Sequence, residues 1–107
     1  MGLWNVQTWI VTKGKEDKHE EIIKAMQKMN RENPKFGKTM KYFGKRWGPW
    51  AGRVLVLEFE DMADYESFFA EANRLESEED MQLRIEWAKC IEYDSWKSEI
   101  WVERPLE

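Results

Sequence analysis

Apolar and polar residues alternate from Leu3 to Thr12 (LWNVQTWIVT), a stretch rich in β-branched and aromatic side chains and free of Gly and Pro. A period of two predicts a strand. Trp4, Val6 and Ile10 fall on one side of it, and Asn5, Gln7, Trp9 and Val11 on the other. After Lys13-Gly14 the period lengthens. Ile22, Ile23, Met26 and Met29 recur at three and four, with Ala25 beside them, so an amphipathic helix is predicted over about residues 15–31. Glu16 and Asp17 suit its N-terminus, Glu20 precedes Lys24 by four, and Asn33-Pro34 ends it.

Lys38 to Trp47 (KTMKYFGKRW) predicts a second strand, with Gly44 marking a possible bulge. Gly48 to Gly52 reads as a turn. Arg53 to Glu60 (RVLVLEFE) is the clearest strand, with Leu55, Leu57 and Phe59 on one face and Val54, Val56 and Glu58 on the other. Asp61 is placed to cap a following helix together with Asp64, and Met62, Tyr65, Phe68, Phe69 and Ala72 form its apolar stripe. Ser77 to Ile91 admits two readings. Leu83, Ile85 and Trp87 alternate as in a strand, while Ser77-Glu78-Glu79-Asp80 is a helix start and Met81, Ile85 and Ala88 keep helical spacing. The helix is favoured because start signal and spacing agree. Tyr93 to Glu103 (YDSWKSEIWVE) predicts a last strand, closed by Pro105.

The order β-α-β-β-α-(α)-β is that of two split βαβ units. It predicts a single α+β domain over residues 1–107, ferredoxin-like, with a four-stranded antiparallel sheet carrying helices on one face. The other face presents Val54, Val56 and Trp side chains, which is too apolar to stand in water. Charge adds a second constraint. Residues 1–53 carry 12 Lys and Arg against 5 Asp and Glu, whereas residues 54–107 carry 5 against 16, within a net charge of -4. The usual strand order puts the second and fourth strands at the edges. The second is basic (Lys38, Lys41, Lys45, Arg46) and the region of the fourth is acidic (Glu92, Asp94, Glu99, Glu103). A two-fold homodimer, closed through the bare sheet faces and the opposed edges, would satisfy both constraints.

The opening LWNVQTWIVTKGKEDKHEEIIKAM, the join RVLVLEFEDMADYESFF and the ending SWKSEIWVERP, taken with the element order, resemble the dimeric α+β barrel superfamily. That group includes the antibiotic-biosynthesis-type monooxygenases, the NIPSNAP-like proteins and the EthD-like proteins. The resemblance implies a ferredoxin-like protomer, a dimer, and a pocket between sheet and helices. The group holds cofactor-free oxygenases, haem-degrading enzymes, isomerases and members without known activity, so the fold leaves the reaction open. Its haem-degrading members use a histidine on the second helix, where this chain has none.

Composition narrows the chemistry. One Cys and one His exclude an internal disulfide framework and a single-chain Cys/His zinc cluster. Cys90 reads as a small hydrophobe and the Glu76–Asp80 acidic run as a solvated helix start. No phosphate-cradling loop is present. The longest aliphatic run, Val54 to Leu57, is far too short to span a bilayer, and the N-terminus has no basic n-region, so the expected address is cytoplasmic. No cofactor and no metal are expected.

Seven Trp in 107 residues point to stacking on something apolar, within the core, in a partner or on a ligand. His19, beside the apolar stripe of the first helix, is the natural candidate for a general base. Tyr42 is a candidate proton donor or orienter. Trp9 and Trp47, the latter with Trp50 at a hairpin tip, are candidate ligand-stacking rings. Each has a plainer reading as boundary, core or interface residue. Asn5 and Gln7 need polar partners if buried. Glu58 suggests either a buried acid–base group or, more simply, an ion pair with the basic second strand. RNA binding, which shares this element order, is excluded: the third strand lacks stacking aromatics, and the sequence pI of 5.2 disfavours phosphate. The sequence thus predicts a homodimeric protein that binds a small apolar or aromatic molecule, with cofactor-independent oxygenation or isomerisation as its possible chemistry and a non-catalytic interaction module as the alternative.

Overall fold

The computed structural model describes residues 2–32, 40–44, 51–74, 77–104 and 106. Strand β1 spans Leu3–Ile10, helix α1 Glu16–Glu32, β2 Met40–Gly44, β3 Gly52–Phe59, α2 Met62–Arg74, α3 Glu78–Ala88 and β4 Lys97–Val102. All strand pairs are antiparallel, in the order β2-β3-β1-β4, so β2 and β4 form the edges. This is the ferredoxin-like α+β arrangement that the alternation predicts.

Register decides which side chains share a face. Trp9 lies opposite Arg53, Gln7 opposite Leu55, Asn5 opposite Leu57 and Leu3 opposite Phe59. Tyr42 lies opposite Leu55 on the other flank of β3. These residues form the helix-covered face, since directly opposed residues point the same way. Two apolar clusters fill it. One joins Trp9, Val11, Ile23 and Ile91, with Met26, Tyr42, Leu55 and Trp87 packed on it. The other joins Leu3, Leu57 and Phe59 under Tyr65, Phe68 and Phe69 of α2. Perpendicular and tilted ring contacts of 4.8 to 5.3 Å knit the second cluster, a geometry that ring quadrupoles favour.

The opposite face carries Trp4, Val6, Thr8 and Ile10 of β1, Val54, Val56 and Glu58 of β3, Lys41 and Phe43 of β2, and Glu99 and Trp101 of β4. No described helix covers it. Phe43 is 49% and Trp101 55% exposed. Glu58 sits exposed opposite Trp4 and makes no ion pair among the described residues, which include only Lys41 of the basic residues of the second strand.

Several expectations change in detail. Register runs unbroken from Met40 to Gly44, the last described residue of β2; Lys38, Lys45, Arg46, Trp47 and the turn residues Gly48–Trp50 lie outside the described residues. The last strand starts four residues late. Tyr93–Ser95 forms a 3-10 turn instead. There the Ser95 hydroxyl accepts the Ile10 N–H at 2.9 Å, and the backbone N–H groups of Ser95 and Trp96 close onto Glu92 and Tyr93. The same hydroxyl donates to the Glu92 carbonyl three residues back, a local serine bond that holds the turn in place of ladder pairing. Residues 78–88 are helical, with a complete Ser77–Asp80 capping box. Asp61 accepts the Asp64 N–H at 2.8 Å, but Asp64 returns its carboxylate to the N–H of Glu60. No described helix is long and apolar enough to cross a membrane.

Candidate functional site

Helix α1 buries His19, Ile22 and Ile23 against the sheet. This sets His19, wholly inaccessible, over the Trp9 ring. The indole Nε1–H of Trp9 donates to His19 Nε2 at 2.9 Å. An indole N–H is only ever a donor, so Nε2 must be bare and the proton of the neutral ring must sit on Nδ1. Nδ1 faces Glu20 Oε1 at 3.3 Å. The same Glu20 oxygen accepts the Tyr42 hydroxyl at 2.8 Å and Arg53 Nε at 3.0 Å. Arg53 also donates from Nη1 to the Gly52 carbonyl. Three elements thus converge on one carboxylate oxygen: α1 through His19, β2 through Tyr42 and β3 through Arg53.

The electrostatics follow from these contacts. Burial holds His19 below its ordinary value of 6.5, against the opposing pull of the hydrogen bond and charge of Glu20. Burial works against the Glu20 charge, but the hydrogen bonds from Tyr42, Arg53 and His19 outweigh it, and the carboxyl stays below its ordinary value. Burial and the Glu20 bond raise the Tyr42 hydroxyl well above its normal range. Arg53 is desolvated as well, but Glu20 and Tyr42 more than compensate and its pKa rises. At neutral pH the cluster holds a fixed carboxylate, a fixed guanidinium, a neutral imidazole and an un-ionised phenol.

Of the residues singled out in the sequence, Trp9, His19 and Tyr42 are thus brought together, with ring centroids 5.9 to 6.4 Å apart. Trp47 lies outside the described residues. Glu20 and Arg53 complete the cluster without having been singled out. Glu20 reads in sequence as a surface ion-pair residue, and Arg53 as the mere start of a strand. The only advance signal was parity: Arg53 shares its face with Leu55 and Leu57.

A second polar group lies nearer β4. Asn5, fully buried, donates to the Ser98 hydroxyl at 2.9 Å and to the Glu99 carbonyl at 3.2 Å. Gln7 donates to Asn5 Oδ1 at 2.8 Å, and Trp96 Nε1 donates to Gln7 Oε1 at 3.4 Å. The buried amides therefore satisfy one another and β4.

Trp96 leads to an open groove of about 460 Å³ between α3 and the 3-10 turn. Met81, Arg84, Ile85, Trp87, Tyr93 and Trp96 line it. Helix α3 turns Leu83 and Trp87 inward, so the Met81–Ile85 side faces out: these two are 50% and 48% exposed, and Tyr93 is 70% exposed. Trp87 joins the groove to the cluster. Its ring stands perpendicular to Trp9 at 5.2 Å, and its buried indole N–H has no hydrogen-bond partner among the described residues. Among the described residues no group of three or more His, Cys, Asp or Glu is placed to hold a metal ion.

The fold has known counterparts. A NIPSNAP family protein from Agrobacterium tumefaciens superposes with a TM-score of 0.76 at 13% identity, over 97% of this chain and 94% of that one. An antibiotic biosynthesis monooxygenase-type protein from Bordetella bronchiseptica gives 0.68 at 12% identity, over 97% and 98% of the two chains. SnoaB from Streptomyces nogalater, a cofactor-independent oxygenase, gives 0.67 at 10% identity, over 98% and 95%. No protein-family model and no curated relative matches the sequence. The fold is therefore that of the NIPSNAP and antibiotic-biosynthesis-monooxygenase structures, as the element order and local texture suggest.

Proposed function

We propose that the protein is a homodimeric α+β barrel that binds a small, mostly apolar or aromatic molecule in the groove between α3 and Trp96. The observation that carries this reading is the groove itself: three aromatic rings with Met81, Ile85, Ala88 and Arg84 around about 460 Å³, left open to solvent. That volume falls in the range of small-molecule sites, and such surface gains most from an apolar occupant. Trp9 forms the wall behind Trp87, and His19 and Tyr42 act as positioning residues that hold it. His19 spends both ring nitrogens on Trp9 and Glu20, and the Tyr42 proton is committed to Glu20. If the bound compound is oxygenated, as the likeness to SnoaB invites, the electrons come from its own ring.

The second copy serves the bare sheet face. Phe43, Trp101 and the Val54–Val56 stripe would be shielded by their counterparts, and the acidic β4 edge would meet the basic β2 edge. The alternative, a non-catalytic interaction module, draws on this same exposed face. Titration separates the two. Naphthol, followed by Trp fluorescence, should bind saturably, and Ile85→Asp should abolish binding while the particle stays at twice the 13.0 kDa protomer in sedimentation. Dimers that bind neither naphthol nor quinols, flavonols or haem would leave the interaction module standing and end the ligand reading.

A further inference from the structure

The Trp9–His19 bond cannot coexist with a charged imidazole. Trp9 Nε1 and His19 Nε2 are 2.9 Å apart, and the indole supplies the hydrogen between them. Protonating Nε2 would set two N–H donors against each other in a site with no access to water. The surroundings decide what happens next. On α1, Glu20 faces Nδ1 and would hold the cation. From β3, Arg53 opposes it, and from β2, Tyr42 stays neutral and bonded to Glu20. From β1 the neighbour is Trp9, which carries no charge. Lys15, one turn back on the chain, gives its carbonyl to the His19 backbone N–H and its ammonium to the Lys89 carbonyl. A charged His19 is therefore kept by Glu20 and given up by Trp9.

Trp9 has no other side-chain hydrogen bond among the described residues, and Trp87 rests on it edge to face at 5.2 Å. The Trp87 N–H is buried without a hydrogen-bond partner among the described residues, so it gives up no bond on moving. The ring behind the groove's inner wall is packed in the core, and its one polar tie is a hydrogen bond that a single proton removes. We propose that His19 is an acid-operated latch on the groove: its protonation breaks the Trp9–His19 bond, lets Trp9 and Trp87 repack, and lowers affinity for the aromatic ligand. This rests on the groove being the ligand site, but the latch also has a readout of its own.

Nitrogen-15 NMR of the full chain supplies that readout. From about pH 8 to about pH 5, the Trp9 indole N–H signal should move with the His19 titration, and contacts between the Trp9 and Trp87 rings should weaken with the same midpoint. Naphthol stays uncharged over this range, and its affinity should fall about tenfold across that midpoint. His19→Gln keeps a side-chain acceptor without a titrating ring and should flatten both curves. A Trp9 signal and ring contacts that ignore pH while His19 titrates would overturn the latch, whether or not naphthol binds. Naphthol affinity that is saturable but flat while the rings move would overturn the coupling to the groove. If naphthol never binds but the Trp9 signal and ring contacts track His19, the function reading fails and the latch survives as a conformational device. Should His19→Gln not fold, the wild-type titrations decide alone.

Discussion

The two ends of the helix-covered face are built on opposite principles. Around Glu20, four side chains from three elements and the indole of Trp9 are joined by short hydrogen bonds, and His19 is sealed from water. Beside α3, Met81, Ile85, Tyr93 and Trp96 stand open, 40% to 70% exposed among the described residues. In the first region the polar side chains are bonded to one another and hold the rings in place while His19 is neutral. The second has apolar surface still to bury, and so it is the one with free energy to offer a ligand. Trp9 and Trp87 are the seam between them. The comparison teaches that the residues richest in chemistry need not face the ligand: here they brace the ring behind the wall.

The largest effect should come from cutting that seam. Trp9→Ala removes a ring that is 2% exposed and leaves His19 Nε2 buried without its donor. Large-to-small changes of this kind cost about 3–5 kcal/mol, and an orphaned buried acceptor adds to that. Urea unfolding at one fixed protein concentration checks it, because the stability of the proposed dimer would move with concentration. A cost below about 1 kcal/mol would mean that the cluster braces nothing.

The fold was legible where periodicity is strong. Alternation in LWNVQTWIVT and RVLVLEFE assigned faces that register confirms, and Asp61 and Ser77 marked two helix starts. What escaped was the cross-element geometry. Glu20 lies 33 residues from Arg53 in the chain, and they meet because β3 runs antiparallel to β1 beneath α1. Sequence spacing carries no such information. The groove escaped for a different reason. Met81 and Ile85 have helical spacing whether they face in or out, and only the inward turn of Leu83 and Trp87 decides between the two. The start of β4 was misread because a serine hydroxyl, a short-range bond, won over strand propensity at Tyr93–Ser95.

A smaller effect should appear in the pH dependence of stability, and it sharpens the contrast between the two regions. His19 and Glu20 both titrate lower in the fold than unfolded. The unfolded chain therefore takes up protons first, and stability is lost as pH falls. The loss should begin near the ordinary His value of 6.5 and continue below the ordinary Glu value of 4.5. Thermal melts at successive pH values should show both limbs. Glu20→Gln should remove the lower one and weaken the hold on Arg53, leaving the His19 limb in place. A flat profile between those values would show that the buried imidazole is not held neutral.

The smallest effect on folding should come from the open region, and its smallness is the point. Tyr93 is 70% exposed and sits in a 3-10 turn held by Ser95 and Glu92 rather than by its own ring. Tyr93→Ala should change stability by no more than about 0.5 kcal/mol, as exposed positions without special contacts do. Yet the ring forms part of the groove wall, so naphthol affinity should drop while the Trp9 indole signal and the melting profile stay unchanged. A substitution that spares folding and removes binding marks surface kept for a partner rather than for the core. If instead Tyr93→Ala destabilised the chain as Trp9→Ala does, the groove would be part of the packed interior, and the two ends of this face would differ only in polarity.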